Sequence, residues 1–345
     1  MYKFLLFGPR YHKSSQPGGI VVSFELLLKD LEVRGVDCIV IDTNKNNYRS
    51  SVIAMIKILW NAAKLIPKSS HVSLHGTAKD YVFIAPFVVW WARVFGKSVS
   101  LRKFAGSFRE VYRSSGAVSR LLIRYALKNA SVNFFQTHYL VGFFSRFNPN
   151  TFWMPTSRPR PVMQRVERPF GKRFIFLGHV RWEKGILELI EAANQLPDEY
   201  QVDIYGQMVN PELEERIAHS KACYKGVLKQ ENVVETLAHY DVLVLPSFWS
   251  GEGYPGVIIE AFSVGLPIVA TPLDGIKEIV THGENGLLVD PKKKGQLEDA
   301  MRSFTVKGYA VFSEKAKASF EQFDSSVVTK MFLEATVVKS VEKNL

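Results

Sequence analysis

Cysteine is almost absent. Only Cys38 and Cys223 occur in the 345 residues, far apart and outside any CxxC or Cys/His cluster, so neither a disulfide framework nor a structural zinc site is supported. A reducing compartment fits best. Long apolar runs are missing as well. The opening MYKFLLFGPR has about four successive apolar residues before Gly8-Pro9, short of the roughly 7–15 of a secretory signal, and reads as a first strand. The most apolar stretch, Tyr81–Ala92, is about a dozen residues, against the roughly 20 that span a bilayer. No DxD triplet is present to clamp a divalent metal. No Walker A loop exists, because the one Gly96-Lys97-Ser98 has Trp91 where the first glycine belongs, and no GxGxxG follows the first strand. These absences remove the P-loop enzymes and take from a dinucleotide dehydrogenase its main support.

Acidic residues are scarce in one half only. Residues 1–165 hold 24 Lys+Arg against 7 Asp+Glu, net +17, and residues 166–345 hold 20 against 26, net −6, which together make the +11 of the chain. Such a basic half attracts nucleic acid, anionic lipid or phosphorylated ligands by the same long-range potential, and it also serves solubility. Arg102, Lys103, Arg109, Arg113, Arg120, Arg124 and Lys128 alternate with Phe104, Phe108, Tyr112, Leu121, Leu122 and Tyr125, a pattern that reads as an interfacial amphipathic stretch.

What is present is the composition of a folded protein: 47% apolar, 22% charged and 12% aromatic residues, enough for about two domains of ordinary size. β-rich runs alternate with helical patterns. Lys3–Phe7, Asp37–Ile41 and His71–His75 read as strands, separated by helices over Ile20–Arg34 and Ser51–Leu65, with a further helix at Phe83–Phe95. The texture breaks over 147–170, rich in Pro and Arg, which reads as a linker. Alternation resumes with strands at Arg173–Leu177, Gln201–Tyr205, Val242–Leu245 and Pro267–Ala270, and Phe312–Leu345 is helical in pattern. The expected architecture is therefore α/β, two tandem Rossmann-like domains with parallel sheets facing across a cleft. The expected divisions are 1–165, a basic domain, 166–325, a second α/β domain, and 326–345, a terminal helix packing back toward the first domain.

The informative stretch runs from Asp241 to Pro291. A buried strand, Val242–Leu245, stops at Pro246-Ser247 and feeds the loop Gly251-Glu252-Gly253-Tyr254-Pro255-Gly256, at the strand edge where open α/β sheets bind ligands. A helix follows from Val257. Its free amides await an anion, and Glu260 lies one turn in. A carboxylate accepts two hydrogen bonds, which suits vicinal hydroxyls of a sugar or ribose, so Glu260 and Glu252 are candidate sugar-gripping groups; singly, each is as well explained as a surface charge. Arg181 and Lys184, in the loop after Arg173–Leu177, reach the same sheet edge and can meet a diphosphate. Gln16-Pro17-Gly18-Gly19 follows the first strand and opens a helix, where glycines let backbone approach phosphate.

Glu252 and Glu260, with seven residues between them within PSFWSGEGYPGVIIEAFSVGLPIVAT and followed by DGIKEIV and ENGLLVD, resemble the signature of the retaining glycosyltransferases of family 4, the group 1 transferases with a GT-B fold. The resemblance spans about residues 171–291. It implies that Glu260 binds the nucleotide ribose, Glu252 the donor-sugar hydroxyls, and the loop backbone of Gly253, Tyr254, Pro255, Gly256 and Val257 the sugar and phosphate. Gly18 and Gly19 would approach the donor phosphates, and the nucleobase would be read by backbone near Gly226-Val227-Leu228. Lys184 matches the family's Lys directly. His179 stands where an Arg is usual, leaving Arg181 as a nearby substitute, and Ala105 stands where a His is usual, leaving His75 or Arg102 to take over contacts.

The expected function is transfer of a sugar from a nucleoside-diphosphate sugar to an acceptor hydroxyl with retention, without metal or resident cofactor, in cell-surface polysaccharide or glycolipid synthesis. Partners would be the donor, a glycan or lipid-linked acceptor and an anionic membrane surface, with a cytoplasmic location at the inner face. Two rivals share these residues: a GT-B-like sugar-nucleotide epimerase, and a non-catalytic sugar-nucleotide binder. A nucleic-acid-binding protein would need a recognition module, and none is recognisable.

Overall fold

A computed structural model describes residues 3–12, 18–104, 106–163, 169–249, 251–293 and 295–341, with side chains to 336. They fall into two compact units, one from 1–159 with 324–345 and one from 160–323.

The first unit is built on a parallel sheet in the order β2-β1-β3-β4-β5-β6, with β1 at Lys3–Gly8, β2 at Asp37–Asp42, β3 at His71–Gly76, β4 at Ser98–Lys103, β5 at Val132–Phe135 and β6 at Thr151–Trp153. A parallel sheet needs cover on both faces, and the period of two supplies it. Phe4 and Leu6 point into a core with Phe24, Leu27 and Phe134. Leu5 and Phe7 point into the opposite core with Ile58, Leu74, Val88 and Leu127. The helix Gly19–Val33 covers the first face. Ser51–Leu65 covers the second, started by Ser50, whose Oγ accepts from the Ile53 amide at 3.2 Å. The first face is completed by Ser325–Val341 from the far end of the chain. Its Phe332 ring lies 6.2 Å from Phe4 and 5.5 Å from Phe134, and Thr329 donates to Asp30 at 3.1 Å.

Three expectations are corrected here. The segment 147–170, read as linker, contains β6, three residues paired to β5; an edge strand this short has no alternation to betray it. The apolar helix expected over Phe83–Phe95 is present as Ala85–Val94, and a further short helix, Ala78–Phe83, precedes it, the two separated where Pro86 in the first turn of the second cannot donate. The terminal helical pattern starts earlier than Phe312 and is broken, into Val306–Ser319 and Ser325–Val341. The basic-aromatic series is not one amphipathic face. Arg102 and Lys103 belong to β4 and are buried, as are Phe104, Phe108 and Tyr112, so only its later part is a surface helix, Ala117–Asn129. Ala105 and Gln16-Pro17 lie outside the described residues.

The second unit has a parallel sheet in the order β12-β11-β10-β7-β8-β9, with β7 at Arg173–Leu177, β8 at Gln201–Tyr205, β9 at Cys223–Tyr224, β10 at Val242–Leu245, β11 at Ile268–Ala270 and β12 at Gly286–Leu288. At the amino ends of β7 and β10 the fully buried Asp241 accepts from the amides of Gly171 and Arg173, both at 3.0 Å, and pairs with the Arg173 guanidinium at 3.3 Å. That clamp sets the register of the two central strands, whose other ends carry the candidate site. Among the described residues no helix is long and apolar enough to cross a membrane.

Candidate functional site

β7 and β10 are neighbours, so the loops leaving their carboxyl ends share one sheet edge. After β7 the chain makes the single turn Trp182–Lys184 and passes through Gly185 at φ 74°, a left-handed conformation that favours glycine. A Cβ there would meet the Pro246 carbonyl oxygen at 2.1 Å. This close approach presses the Lys184 turn against the end of β10 and brings Lys184 to Glu252. The Lys184 ammonium bonds Glu252 Oε1, which also accepts from Ser247 Oγ at 3.3 Å. Both side chains are largely shielded, 18% and 11% exposed. Burial pushes the Lys184 ammonium down to about 8, with the Arg181 charge acting in the same direction and Glu183 opposing.

Arg181 lies beside this pair but is held elsewhere. Its guanidinium bonds both Glu183 oxygens, at 2.8 and 3.1 Å, and stacks over the Trp249 ring at 4.5 Å. His179 titrates below its ordinary range because of desolvation and then the charges of Lys184 and Arg181, so it is neutral near pH 7.

The helix after the β10 loop runs Gly256–Ser263, with Pro255 at its N-cap. Its first amides have no partner within the helix, and its dipole puts partial positive charge at that end. Glu260 is 4% exposed, and its Oε1 accepts from Gln230 Nε2 at 2.9 Å. Gln230 opens a single turn, Gln230–Asn232, a few residues past Gly226. Tyr254 does not offer its hydroxyl to the site. Its ring is buried edge-on to Phe323 and the hydroxyl donates to Glu278 at 2.5 Å, so this side chain anchors the loop and leaves the backbone of Gly253–Gly256 to face outward chemistry.

In the first unit, Gly18 caps the helix Gly19–Val33, and no described atom lies within 4 Å of a Cβ placed on either glycine. His75, at the end of β3, is fully buried. Its Nε2 is 2.9 Å from Ser73 Oγ, its ring packs on Phe24 and Phe332, and burial holds it neutral, far below its usual titration range. Arg102, its neighbour on β4, is fully buried too and donates to the Pro155 carbonyl at 2.9 Å. Among the described residues no group of three His, Cys, Asp or Glu side chains converges as a metal site.

Lys184 and Glu252 are therefore in contact, Glu260 is held separately by Gln230, and Arg181 is joined to a carboxylate. Gln230, Ser247, Glu183 and Trp249 had not been singled out. Ser247 stood at a strand end inside the quoted motif, the one signal that pointed to it.

Residues 171–305, which carry all of these except the first-unit groups, match the family model of glycosyl transferases group 1. Among curated relatives of the group 1 segment, N,N'-diacetylbacillosaminyl-diphospho-undecaprenol alpha-1,3-N-acetylgalactosaminyltransferase of Campylobacter jejuni is 26% identical over 175 residues, 48% of this chain and 45% of its own. The D-rhamnosyltransferase WbpZ of Pseudomonas aeruginosa is 30% identical over 155 residues, 42% of this chain and 40% of its own. The matched stretches span less than half the length of these relatives. Solved structures match nearly end to end: HepE of Anabaena in complex with UDP superposes with a TM-score of 0.77 at 16% identity, over 98% of this chain and 100% of that one. Sucrose-phosphate synthase of Thermosynechococcus elongatus gives 0.75 at 14%, over 100% of both. These likenesses establish the fold: GT-B, with two Rossmann-like domains in tandem.

Proposed function

We propose that the protein is a retaining, metal-independent glycosyltransferase that moves a sugar from a nucleoside-diphosphate sugar to an acceptor hydroxyl in cell-surface polysaccharide or glycolipid synthesis. UDP sugars are the first donors to test, since a structural neighbour was solved with UDP. The observation that carries the reading is the contact between Lys184 and Glu252 at the carboxyl ends of β7 and β10, in the unit that also holds the Glu260–Gln230 pair on the helix Gly256–Ser263.

A diphosphate entering there would draw Lys184 from Glu252, which frees Glu252 to accept sugar hydroxyls. Glu260, held by Gln230, would accept from the ribose. Gly18 and Gly19 leave room for phosphate to approach the backbone, and His75, in the wall of a first-unit crevice, remains a candidate for acceptor-side contacts, whereas the buried Arg102 is committed to the Pro155 carbonyl. In the chemical step the anomeric carbon–phosphate oxygen bond breaks and a bond to the acceptor oxygen forms on the same face, the acceptor proton passing to the departing phosphate oxygen. Lys184 and Arg181 stabilise the charge on that diphosphate, a role a metal would otherwise fill. Glu260→Ala is expected to weaken donor binding at least tenfold with the fold intact; unchanged donor affinity would refute the assignment. Turnover that survives EDTA supports the metal-independent part, and loss of turnover restored by Mg²⁺ overturns it.

The chain is also proposed to work at the inner, anionic face of the cytoplasmic membrane. Arg102, Lys103, Phe104, Phe108 and Tyr112 are buried, so the proposed contact draws on other side chains. The exposed large apolar side chains of the first unit include Ile56 and Trp60 on Ser51–Leu65, and Trp90 and Val94 on Ala85–Val94. Lys57, Lys64 and Arg93 share those helices, which contain no acid. Aromatic and cationic groups together favour an anionic interface. Flotation with vesicles containing phosphatidylglycerol at low salt is the test, and failure to float would sink this part.

A further inference from the structure

The first unit has a crevice of its own, about 300 Å³, which none of the donor contacts uses. It lies at the carboxyl ends of β1, β2 and β3, adjacent strands at the point where the sheet order reverses, the place where open α/β sheets take ligands. Its size is at the low end of ligand pockets, about 300–1,000 Å³, which suits a single ring more than a chain.

The charges in its wall are unequal. Lys45 and Lys79 line it, with Asp80 as the acid. Asp80 is already committed: its Oδ2 accepts from the Thr77 amide at 2.7 Å and the Thr77 hydroxyl at 2.8 Å, and its charge acts on the buried Lys103 ammonium. The ammonium groups of Lys45 and Lys79 have no ion-pair or hydrogen-bond partner among the described residues. Ser51, the first residue of the 15-residue helix Ser51–Leu65, is also in the wall. Ser50 caps the Ile53 amide, and the other first-turn amides have no partner inside the helix, so the positive end of its dipole adds to the two lysines. His75, in the inner wall, is neutral and has a buried Nδ1 without a partner among the described residues, so it contributes hydrogen bonding and no charge. Two free cations, a helix start and a spent carboxylate select a negative ligand.

We propose that this crevice binds an anionic group of the acceptor, a carboxylate or a phosphate ester on its terminal residue. The word acceptor rests on the glycosyltransferase reading; the anion site itself does not. Calorimetric titration of the full chain, without donor, tests it with methyl β-D-glucuronide, glycerol 1-phosphate and the neutral methyl β-D-glucoside. At least one anion is expected to bind about tenfold or more tightly than the glucoside, and which one binds separates carboxylate from phosphate. Lys45→Gln/Lys79→Gln, two surface changes, should cost that anion about tenfold while the melting temperature and the affinity for UDP stay as in the wild type. Equal binding of the glucoside, no binding of either anion at 50 mM, or unchanged anion affinity in the double variant overturns the proposal. Anion binding by a chain that binds none of UDP, GDP, ADP, dTDP or CDP would refute the glycosyltransferase reading and leave this site standing.

Discussion

Glu260 and Glu252 do different work, and their partners show why. Glu260 is almost fully buried and accepts from the neutral amide of Gln230, which helps set its orientation. Gln230→Ala should therefore raise the donor KM several-fold with a smaller effect on kcat, and Gln230→Glu, which sets a second carboxylate against the first, should do more harm than alanine; steady-state kinetics in donor checks both. Glu252 shares its charge with Lys184, an arrangement that suits a site waiting for a diphosphate. Because burial pushes the Lys184 ammonium down to about 8, the free enzyme loses that cation as pH rises through this value, and kcat/KM for donor should fall above about pH 8. Lys184→Arg, which keeps its charge, should move the fall to higher pH even if its maximum is lower. At this scale the spacing of Glu252, Glu260 and Lys184 was legible in one quoted motif and one glycine-flanked loop. Gln230 was not, because its role exists only once the chain brings position 230 against position 260.

Elements obey the same logic with fewer surprises. Strands such as Lys3–Gly8 and Val242–Leu245 show as short apolar runs bounded by Gly or Pro, and the structure places them within a residue or so of that reading. What the pattern could not show was a break made by a single missing amide, at Pro86, or an edge strand of three residues at Thr151–Trp153. The basic-aromatic series misled for a physical reason: β4 buries cations and apolar groups on either face, so its alternation mimics amphipathicity in sequence alone. Two substitutions test the packing. Phe332→Ala removes the ring that joins Phe4 and Phe134 and should cost about 3–5 kcal/mol in denaturant unfolding of the first unit. Gly185→Ala forces a Cβ onto the Pro246 carbonyl and a strained φ, about 1–3 kcal/mol before any shift of the loop. It should lower donor affinity more than a remote change of equal stability cost.

For the whole molecule, the opposed charge of the two halves is the feature that composition makes plain and the fold gives a use. A basic first unit with a cationic crevice and an apolar-basic helix face suits anionic acceptors at an anionic surface, whereas the second half is net acidic and has Lys184 and Arg181 at the donor site. Vesicle binding, if carried by this face, should weaken between 50 and 300 mM salt as charges are screened, and Trp60→Ser with Trp90→Ser should weaken it at every salt concentration. The central claim is that the edge formed by β7, β10 and the helix Gly256–Ser263 grips the donor nucleotide. Hydrogen–deuterium exchange with and without UDP tests it most directly: the account predicts new protection of amides in 253–257 and 182–185, lost in Glu260→Ala. Protection confined to the first unit, or unchanged by that substitution, would contradict it.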